Sequence, residues 1–155
     1  MQVSRIMERD LTALAEDYPL STVIEVLAIN SGCGLPVVDK EGRVVGFINE
    51  KDIIRAALPG HFEYLDDKFV LPDIEQLRGR LERIMSDPVS KHMLKDVIKF
   101  EETEDFLKVV IALTQKGVRA APVVKDGYLG GVVKREDILN RFLMRQVETK
   151  ADEPA

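Results

Sequence analysis

The chain has 155 residues, of which 45% are hydrophobic and 32% are charged, and its formal net charge is −5 at pH 7. This composition is typical of a globular protein, and the negative charge argues against DNA or anionic membranes as partners, since a surplus of Lys and Arg normally supplies that affinity. The only cysteine, Cys33, cannot form an intramolecular disulfide, and no apolar run approaches the roughly 20 residues that span a bilayer. We therefore expect a cytoplasmic protein.

The first third of the chain predicts a helix, a β-hairpin and a second helix. A short extended segment, Leu11–Leu14, comes first. Three apolar residues at one-turn spacing mark the first helix: Val23, Ile24 and Leu27. Two β-branched runs, Pro36–Val38 and Arg43–Ile48, are separated by a polar turn and predict the hairpin. The second helix is predicted to begin near Asn49.

The middle of the chain predicts an insertion that contains one helix. The stretch Pro59–Pro72 is aromatic and irregular, and Asp73 is the expected N-cap of the helix that follows it. Four apolar residues lie along one side of this helix, which we expect to pack on the protein: Ile74, Leu77, Leu81 and Ile84. The loop His61–Asp67 offers too few ligands in a fixed spacing for a metal, so we predict no metal site.

The last third of the chain repeats the first. Leu35–Arg55 matches Ala121–Arg141, with Pro36 and Pro122 86 positions apart. Arg5–Met7 also matches Arg83–Met85, but at a separation of 78, which predicts about eight extra residues around 86–95 in the second copy. We divide the chain into repeat 1 (1–58), an insertion with a helix (59–80), repeat 2 (81–147) and a frayed tail (148–155).

The two halves are expected to share one core, because a sheet of two or three strands covers too little area to be stable alone. Eight hairpin residues are predicted to be buried in it: Val37, Val38, Val45, Ile48, Val123, Val124, Val132 and Val133.

Three motifs carry a resemblance to a known family. They are Ile84–Val89, Leu35–Gly42, and the pattern Gly-x-x-x-x-x-Asp that ends at Asp52 and again at Asp137. Together they resemble a tandem pair of CBS (cystathionine-β-synthase) domains, or Bateman module, here as a stand-alone CBS-domain protein. The resemblance implies an α/β (α+β) fold in which two βαββα repeats form a pseudo-twofold pair. It also implies clefts between the repeats for adenosine-containing ligands such as AMP, ADP, ATP or S-adenosylmethionine.

The resemblance also assigns roles to particular residues. It makes Asp52 and Asp137 the carboxylates that bind ribose hydroxyls. The position that holds Thr or Ser beside a phosphate in the family is Asn49 in the first copy and Lys134 in the second, and both depart from the family pattern.

Base-contacting positions fall just before each Pro-Val-Val strand. In the first copy they are Gly32–Leu35, including Cys33 and Leu35, and in the second they are Val118–Ala121, including Val118, Arg119 and Ala121. Since each cleft in the family draws on both copies, the resemblance groups Asp52 with Val118–Ala121, and Asp137 and Lys134 with Gly32–Leu35.

Most of these residues have a second, purely structural interpretation. Asn49 and Asp52 are also typical of a helix N-cap followed by an acidic residue. Lys134 has no acceptor for capping, so it binds an anion or is a solvated surface group. Arg119 contacts a phosphate or ring, or forms a salt bridge on the rim. We interpret Cys33 as a small buried hydrophobic residue, and the acidic cluster Glu101–Asp105 as a helix cap.

No catalytic group emerges from the sequence, so we expect no enzymatic activity. The chain has two histidines and one cysteine, and it lacks a phosphate-loop or nucleophile-elbow motif. We expect a regulatory ligand sensor that acts in trans on an unknown protein. The alternative is a structural dimerisation module whose clefts have lost nucleotide binding. In either case the apolar helix Ile138–Val147 predicts a homodimer, and Lys134 predicts that phosphate-bearing ligands prefer the Asp137 cleft.

Overall fold

The computed structural model describes residues 1–9, 12–30, 33–58, 73–141 and 143, which belong to two compact units. We call them the N-repeat unit, formed by Thr12–Lys40 and Val45–Asp96, and the C-repeat unit, formed by Met1–Leu11, Glu41–Val44 and Val97–Ala155. Each contains a three-stranded sheet, so the predicted α/β class is confirmed. No helix in the described ranges is long and apolar enough to cross a membrane.

The N-repeat unit follows the expected order of strand, helix, hairpin and helix. Its elements are β1 (Leu14–Ala15), α1 (Leu20–Ile29), β2 (Leu35–Val38), β3 (Val44–Ile48), α2 (Glu50–Ala57) and α3 (Ile74–Ile84). Strand β2 lies between β1 and β3, and β1 runs parallel to β2 with Leu14 opposite Val37. Helix α1 buries Leu20, Val23 and Leu27 against this sheet, which confirms the predicted apolar face at Val23 and Leu27, whereas the predicted Ile24 is exposed.

The C-repeat unit has the same order. Its elements are β4 (Phe100–Glu101), α4 (Phe106–Gln115), β5 (Ala120–Lys125), β6 (Tyr128–Lys134) and a helix over 135–141, which we call α5. Strand β4 runs parallel to β5, and β5 pairs antiparallel with β6 across the turn at Asp126 and Gly127. Both turn residues have positive φ, which the tight hairpin requires and glycine adopts without strain.

The beginning of each sequence repeat belongs to the unit built from the other repeat. We call residues 1–9 arm 1 and residues 88–94 arm 2. Arm 1 is part of the C-repeat unit and arm 2 is part of the N-repeat unit. Arm 1 contains a 3₁₀ turn at Val3–Arg5, and arm 2 contains the same turn at Val89–Lys91, so the two arms are structurally equivalent.

This equivalence corrects the sequence alignment. Val3–Met7 corresponds to Val89–Met93, and the two segments are 86 positions apart, the same separation as Pro36 and Pro122. The predicted eight extra residues around 86–95 are therefore wrong. The match that led to them was misleading because Arg83 and Ile84 end helix α3 rather than begin a repeat.

Both arms dock in the same way. Glu8 forms an antiparallel bridge with Val132, and Leu94 forms the equivalent bridge with Phe47. In each unit a methionine of the arm lies on a glycine of the hairpin, Met7 on Gly131 and Met93 on Gly46. A glycine is needed there because an added Cβ would overlap the methionine side chain.

The predicted core residues are mostly buried. Six of the eight are buried: Val37, Ile48, Val123, Val124, Val132 and Val133. Val38 and Val45 are only half-buried, so the prediction is wrong for these two. Val38 is the last residue of β2, and Val45 packs against the N-repeat core without being fully covered. Each unit has a core cluster of its own, and the shared core stays a prediction.

The helix of the insertion is confirmed, including its cap. Asp73 accepts a hydrogen bond from the Gln76 backbone at 2.8 Å, and the Gln76 side chain accepts one from the Asp73 backbone at 3.2 Å. Leu81 and Ile84 pack against the N-repeat core and Leu77 is partly buried, but Ile74 is 77% exposed, so the predicted packing is wrong for the start of the helix. The rest of the insertion (59–72) and the tail (148–155) lie outside the described residues.

Candidate functional site

An open pocket of about 320 Å³ lies in the C-repeat unit, where arm 1 meets the end of β6 and the start of α5. Its volume is at the lower end of the roughly 300–1,000 Å³ typical of small-molecule sites. Seven residues line it: Ile6, Met7, Glu8, Lys134, Asp137, Asn140 and Arg141. Two of them, Lys134 and Asp137, were predicted as site residues from the sequence.

The pocket is held in place by backbone pairing. The Glu8 N–H donates to the Val132 carbonyl at 2.8 Å, and the Val132 N–H donates to the Glu8 carbonyl at 3.0 Å. Residues two apart on a strand lie on the same face, so Lys134 is the diagonal neighbour of Glu8 on that face. Helix α5 follows β6 directly and brings Asp137 to the same place.

The pocket contains two acidic and two basic side chains. Lys134 Nζ lies 2.9 Å from Glu8 Oε2, and the two side chains are 26% and 43% exposed. Arg141 donates from Nη1 to the Arg5 carbonyl. The Asp137 carboxylate has neither a hydrogen bond nor an ion pair within the described part of the chain. The formal charges of these groups cancel, and one carboxylate is available to a ligand.

The equivalent positions of the N-repeat unit are arranged differently. Asn49 Oδ1 accepts from the Asp52 backbone and Asp52 Oδ2 accepts from the Asn49 backbone, each at 3.0 Å. This reciprocal pair begins helix α2 and confirms the capping interpretation. The interpretation of Asp52 and Asn49 as ligand contacts stays a prediction.

The predicted base-contacting residues are mostly part of the cores. Cys33, Leu35 and Ala121 are buried, which confirms Cys33 as a small buried hydrophobic residue, and Val118 packs against the C-repeat core. Gly32 lies outside the described residues. Each predicted cleft takes residues from both units, and these groupings stay predictions.

Arg119 is held on the surface of the C-repeat unit. Its Nη2 lies 2.6 Å from Glu136 Oε1, with both side chains more than half exposed, and its carbonyl accepts from the Arg135 N–H at 3.0 Å. The structure therefore contains the salt bridge that was one of the two interpretations of Arg119. A role for it in binding stays a prediction.

The acidic cluster Glu101–Asp105 is confirmed as a helix cap, because Asp105 Oδ1 accepts from the Leu107 N–H at 3.3 Å. Within the described ranges no group of three or more His, Cys, Asp or Glu side chains is placed to hold a metal ion. The loop His61–Asp67 lies outside those ranges.

Sequence reasoning missed the contribution of arm 1 to the pocket. Ile6, Met7 and Glu8 were not predicted as site residues, although they form one side of it. The signal was present in the sequence, since Val3–Met7 (VSRIM) and Val89–Met93 (VSKHM) match at the common separation of 86. Using that alignment would have marked the arm as a repeated element.

Three curated relatives show the range of proteins that contain similar chains. The uncharacterized protein MJ1225 of Methanocaldococcus jannaschii is 26% identical over 88% of this chain and 41% of its own length. A CBS domain-containing protein of Dictyostelium discoideum is 29% identical over 91% of this chain and 90% of its own length. The 5'-AMP-activated protein kinase subunit gamma-3 of Bos taurus is 27% identical over 66% of this chain and 22% of its own length.

Two solved structures with similar folds contain bound adenosine compounds. CBSX2 in complex with AMP is 19% identical, with a TM-score of 0.71 over 94% of this chain and 98% of that one. The CBS domain pair of protein MJ0100, in complex with 5'-methylthioadenosine and S-adenosyl-L-methionine, is 20% identical, with a TM-score of 0.66 over the same shares.

The family assignment comes from a direct match to the sequence. The family model of the CBS domain matches residues 3–59 and 84–143, which are two copies that together cover most of the chain. The chain therefore belongs to the CBS-domain family, as a tandem pair of CBS domains.

Proposed function

We propose that this protein is a non-enzymatic regulatory module that binds an adenosine-containing ligand in the pocket of the C-repeat unit. One observation carries the proposal: the motif residue Asp137 faces an open pocket with no partner for its carboxylate among the described residues. A carboxylate of this kind accepts hydrogen bonds from the two hydroxyls of a ribose. AMP, ADP, ATP and S-adenosylmethionine all carry that ribose.

The pocket also offers surfaces for the rest of the ligand. Ile6 and Met7 of arm 1 supply apolar contact for a flat base, and a methionine adapts its shape to such a ring. Asn140 supplies both a donor and an acceptor to the polar side of the pocket. Small-molecule sites typically combine apolar contact surface with polar groups that fix the orientation of the ligand.

The comparisons support the same class of ligand. Structures with this fold bind AMP in one case and 5'-methylthioadenosine with S-adenosylmethionine in another. A relative is a subunit of a kinase that is named for its activation by 5'-AMP. We propose that ligand binding shifts the population of conformations of the module and so regulates a partner protein in trans.

Thermal unfolding with a panel of adenosine compounds tests this function. A ligand that binds only the folded protein, at 100 times its Kd, adds about 2.7 kcal/mol to the free energy of unfolding. We expect at least one compound to raise Tm, and Asp137→Ala to abolish the shift for all of them. The matched control is Asp96→Ala, which removes an exposed carboxylate outside the pocket. No shift with any compound would contradict the proposal.

A structural dimerisation module is the second candidate, favoured by exposed leucines. Leu139 and Leu143 lie four positions apart and are 64% and 61% exposed, whereas Ile138 is buried in the core. Phe142 and Val147, which belonged to the predicted interface, lie outside the described residues. Sedimentation tests the homodimer: we expect a dimer at micromolar concentration and a monomer after Leu139→Glu, whereas a wild-type monomer would contradict it.

A further inference from the structure

The side chain of Glu8 occupies the place where Lys134 would meet an anion. The 2.9 Å contact between Lys134 Nζ and Glu8 Oε2 neutralises the lysine on the pocket side. Any phosphate that approaches Lys134 must either displace the Glu8 carboxylate or lie beside it. Both arrangements bring two negative groups together in a partly buried pocket, where their repulsion is stronger than in bulk water.

The position of Glu8 is fixed by the backbone rather than by the ion pair. Its N–H and carbonyl both bond to Val132, at 2.8 Å and 3.0 Å, so arm 1 holds the side chain beside the strand that ends at Lys134. The neighbouring Met7 packs against Gly131 of the same strand. Rotation of the Glu8 side chain is possible, but withdrawal of the residue from the pocket requires the arm to detach.

The other charged groups do not compensate for Glu8. Asp137 adds a second negative charge to the pocket lining. Arg141, the remaining cation of the lining, already donates one N–H to the Arg5 carbonyl. The pocket therefore has no net positive charge with which to attract a phosphate.

We infer that Glu8 determines ligand specificity in this pocket and selects adenosine compounds without a phosphate over nucleotides. The inference rests on the proposed adenosine-binding function. It assigns the pocket to ligands such as adenosine or 5'-methylthioadenosine, whose 5' group carries no negative charge. Lys134 then serves mainly to pair with the Glu8 carboxylate, rather than to bind phosphate.

Calorimetric titration of the full chain with 5'-methylthioadenosine, adenosine and AMP tests this inference. We expect the wild type to bind the two uncharged compounds more tightly than AMP. Glu8→Gln removes the negative charge and keeps the size of the side chain, so its affinity for AMP should rise on the order of tenfold while that for adenosine stays within about twofold. Glu8→Leu, which installs the residue of the equivalent position Leu94, should have the same effect.

Two further variants make the result specific. Glu101→Gln removes an exposed carboxylate of the same unit outside the pocket, so it should leave all three affinities unchanged. The double variant Glu8→Gln/Lys134→Gln should lose the gain in AMP affinity, because that gain depends on the positive charge of Lys134.

The outcomes separate this inference from the proposed function. One outcome is that the wild type binds AMP at least as tightly as adenosine and that Glu8→Gln does not change the affinity for AMP. This outcome would overturn the role of Glu8 and leave adenosine binding intact. An equal gain in Glu101→Gln would also overturn it, because the effect would then come from net charge. Absence of binding to all three compounds in every variant would overturn both proposals.

Discussion

The two units have the same fold, but they use the end of the hairpin differently. In the N-repeat unit, Asn49 and Asp52 bond to each other's backbone and begin a helix. In the C-repeat unit, the equivalent residues are Lys134 and Asp137, and the lysine pairs with Glu8 of arm 1 while the aspartate faces a pocket. The aspartate therefore caps a helix where its neighbour is asparagine and lines a pocket where its neighbour is lysine. The fold is preserved because the arms and cores of both units are equivalent.

The largest expected loss of stability comes from truncating the first residue of α1 or of α4. In each unit this residue is hydrogen-bonded at or beside the arm. Phe106 and Leu20 are buried, and their N–H groups donate to the carbonyl of Met1 in arm 1 and to that of Asp87, the residue just before arm 2. We expect Phe106→Ala to lower the free energy of unfolding by about 3–5 kcal/mol and Leu20→Ala by about 2–5 kcal/mol, because each leaves a cavity. Urea unfolding followed by circular dichroism measures both.

The control for this pair is Leu107→Ala, on the exposed side of α4, which should change stability by about 0.5 kcal/mol or less. If both core variants shift one common transition, the units unfold together, as the prediction of a shared core requires. Two separate transitions would contradict a shared core.

The contact between arm and hairpin should accommodate an added methyl group less easily in the C-repeat unit than in the N-repeat unit. A Cβ on Gly131 would lie 2.8 Å from the Glu8 carbonyl oxygen, whereas the three atoms nearest to a Cβ on Gly46 all belong to the Met93 side chain. Because backbone cannot move aside as a methionine can, Gly131→Ala should cost about 1–3 kcal/mol of stability and Gly46→Ala less. Thermal unfolding measures the difference.

A third glycine provides an opposite control for this comparison. Gly79 lies inside α3 with nothing within 4 Å of an added Cβ, so Gly79→Ala should stabilise the protein by about 0.5–1 kcal/mol. Equal losses of stability from Gly131→Ala and Gly46→Ala would contradict the predicted difference between the two contacts.

Replacement of Asn49, which caps a helix, should cost more stability than replacement of the equivalent Lys134. Asn49→Ala removes the acceptor for the Asp52 N–H and should cost about 0.5–2 kcal/mol, whereas Asn49→Asp keeps an acceptor and should cost less. Lys134→Ala removes a partly exposed ion pair, for which about 0–1 kcal/mol is expected. A larger loss for Lys134→Ala in chemical unfolding would mean that the ion pair is the more important contact.

The smallest effect is a pH dependence of the contact between His92 of arm 2 and Asp87, the residue just before that arm. His92 Nε2 lies 2.8 Å from Asp87 Oδ2, and in arm 1 the residue equivalent to His92 is the buried Ile6. The hydrogen bond from His92 lowers the pKa of Asp87, against the opposing effect of burial and with help from the Lys91 charge. A carboxylate with a lowered pKa stabilises the fold above its ordinary range, and this stabilisation is lost as the pH falls through the lowered value.

Carbon-detected NMR titration of the Asp87 carboxyl group tests whether His92 lowers its pKa. We expect the pKa of Asp87 to return toward its ordinary range in His92→Ile, which copies the residue of arm 1. An unchanged pKa of Asp87 in that variant would assign the shift to Lys91 instead.

Local patterns in the sequence were sufficient for most of the fold. The one-turn spacing of Val23 and Leu27 placed α1, and the N-cap residue Asp73 placed the start of α3. The misplaced arm alignment had a physical cause, because a three-residue match carries little information and Arg83–Met85 satisfied it by chance. Burial at Val38 and Val45 was misjudged because β-branched residues favour strands without specifying which face is covered.

By itself the sequence determined the tandem repeat, the class of fold and the position of the motif aspartates, and it offered the cap at Asn49 as one of two interpretations. These depend on neighbouring residues and on periodicity, which the chain displays directly. Only the tertiary structure decided that each arm belongs to the unit of the other repeat and that Glu8 pairs with Lys134. The bridge behind that pair joins Glu8 to Val132, 124 positions apart, and such pairing depends on long-range packing that no local pattern encodes.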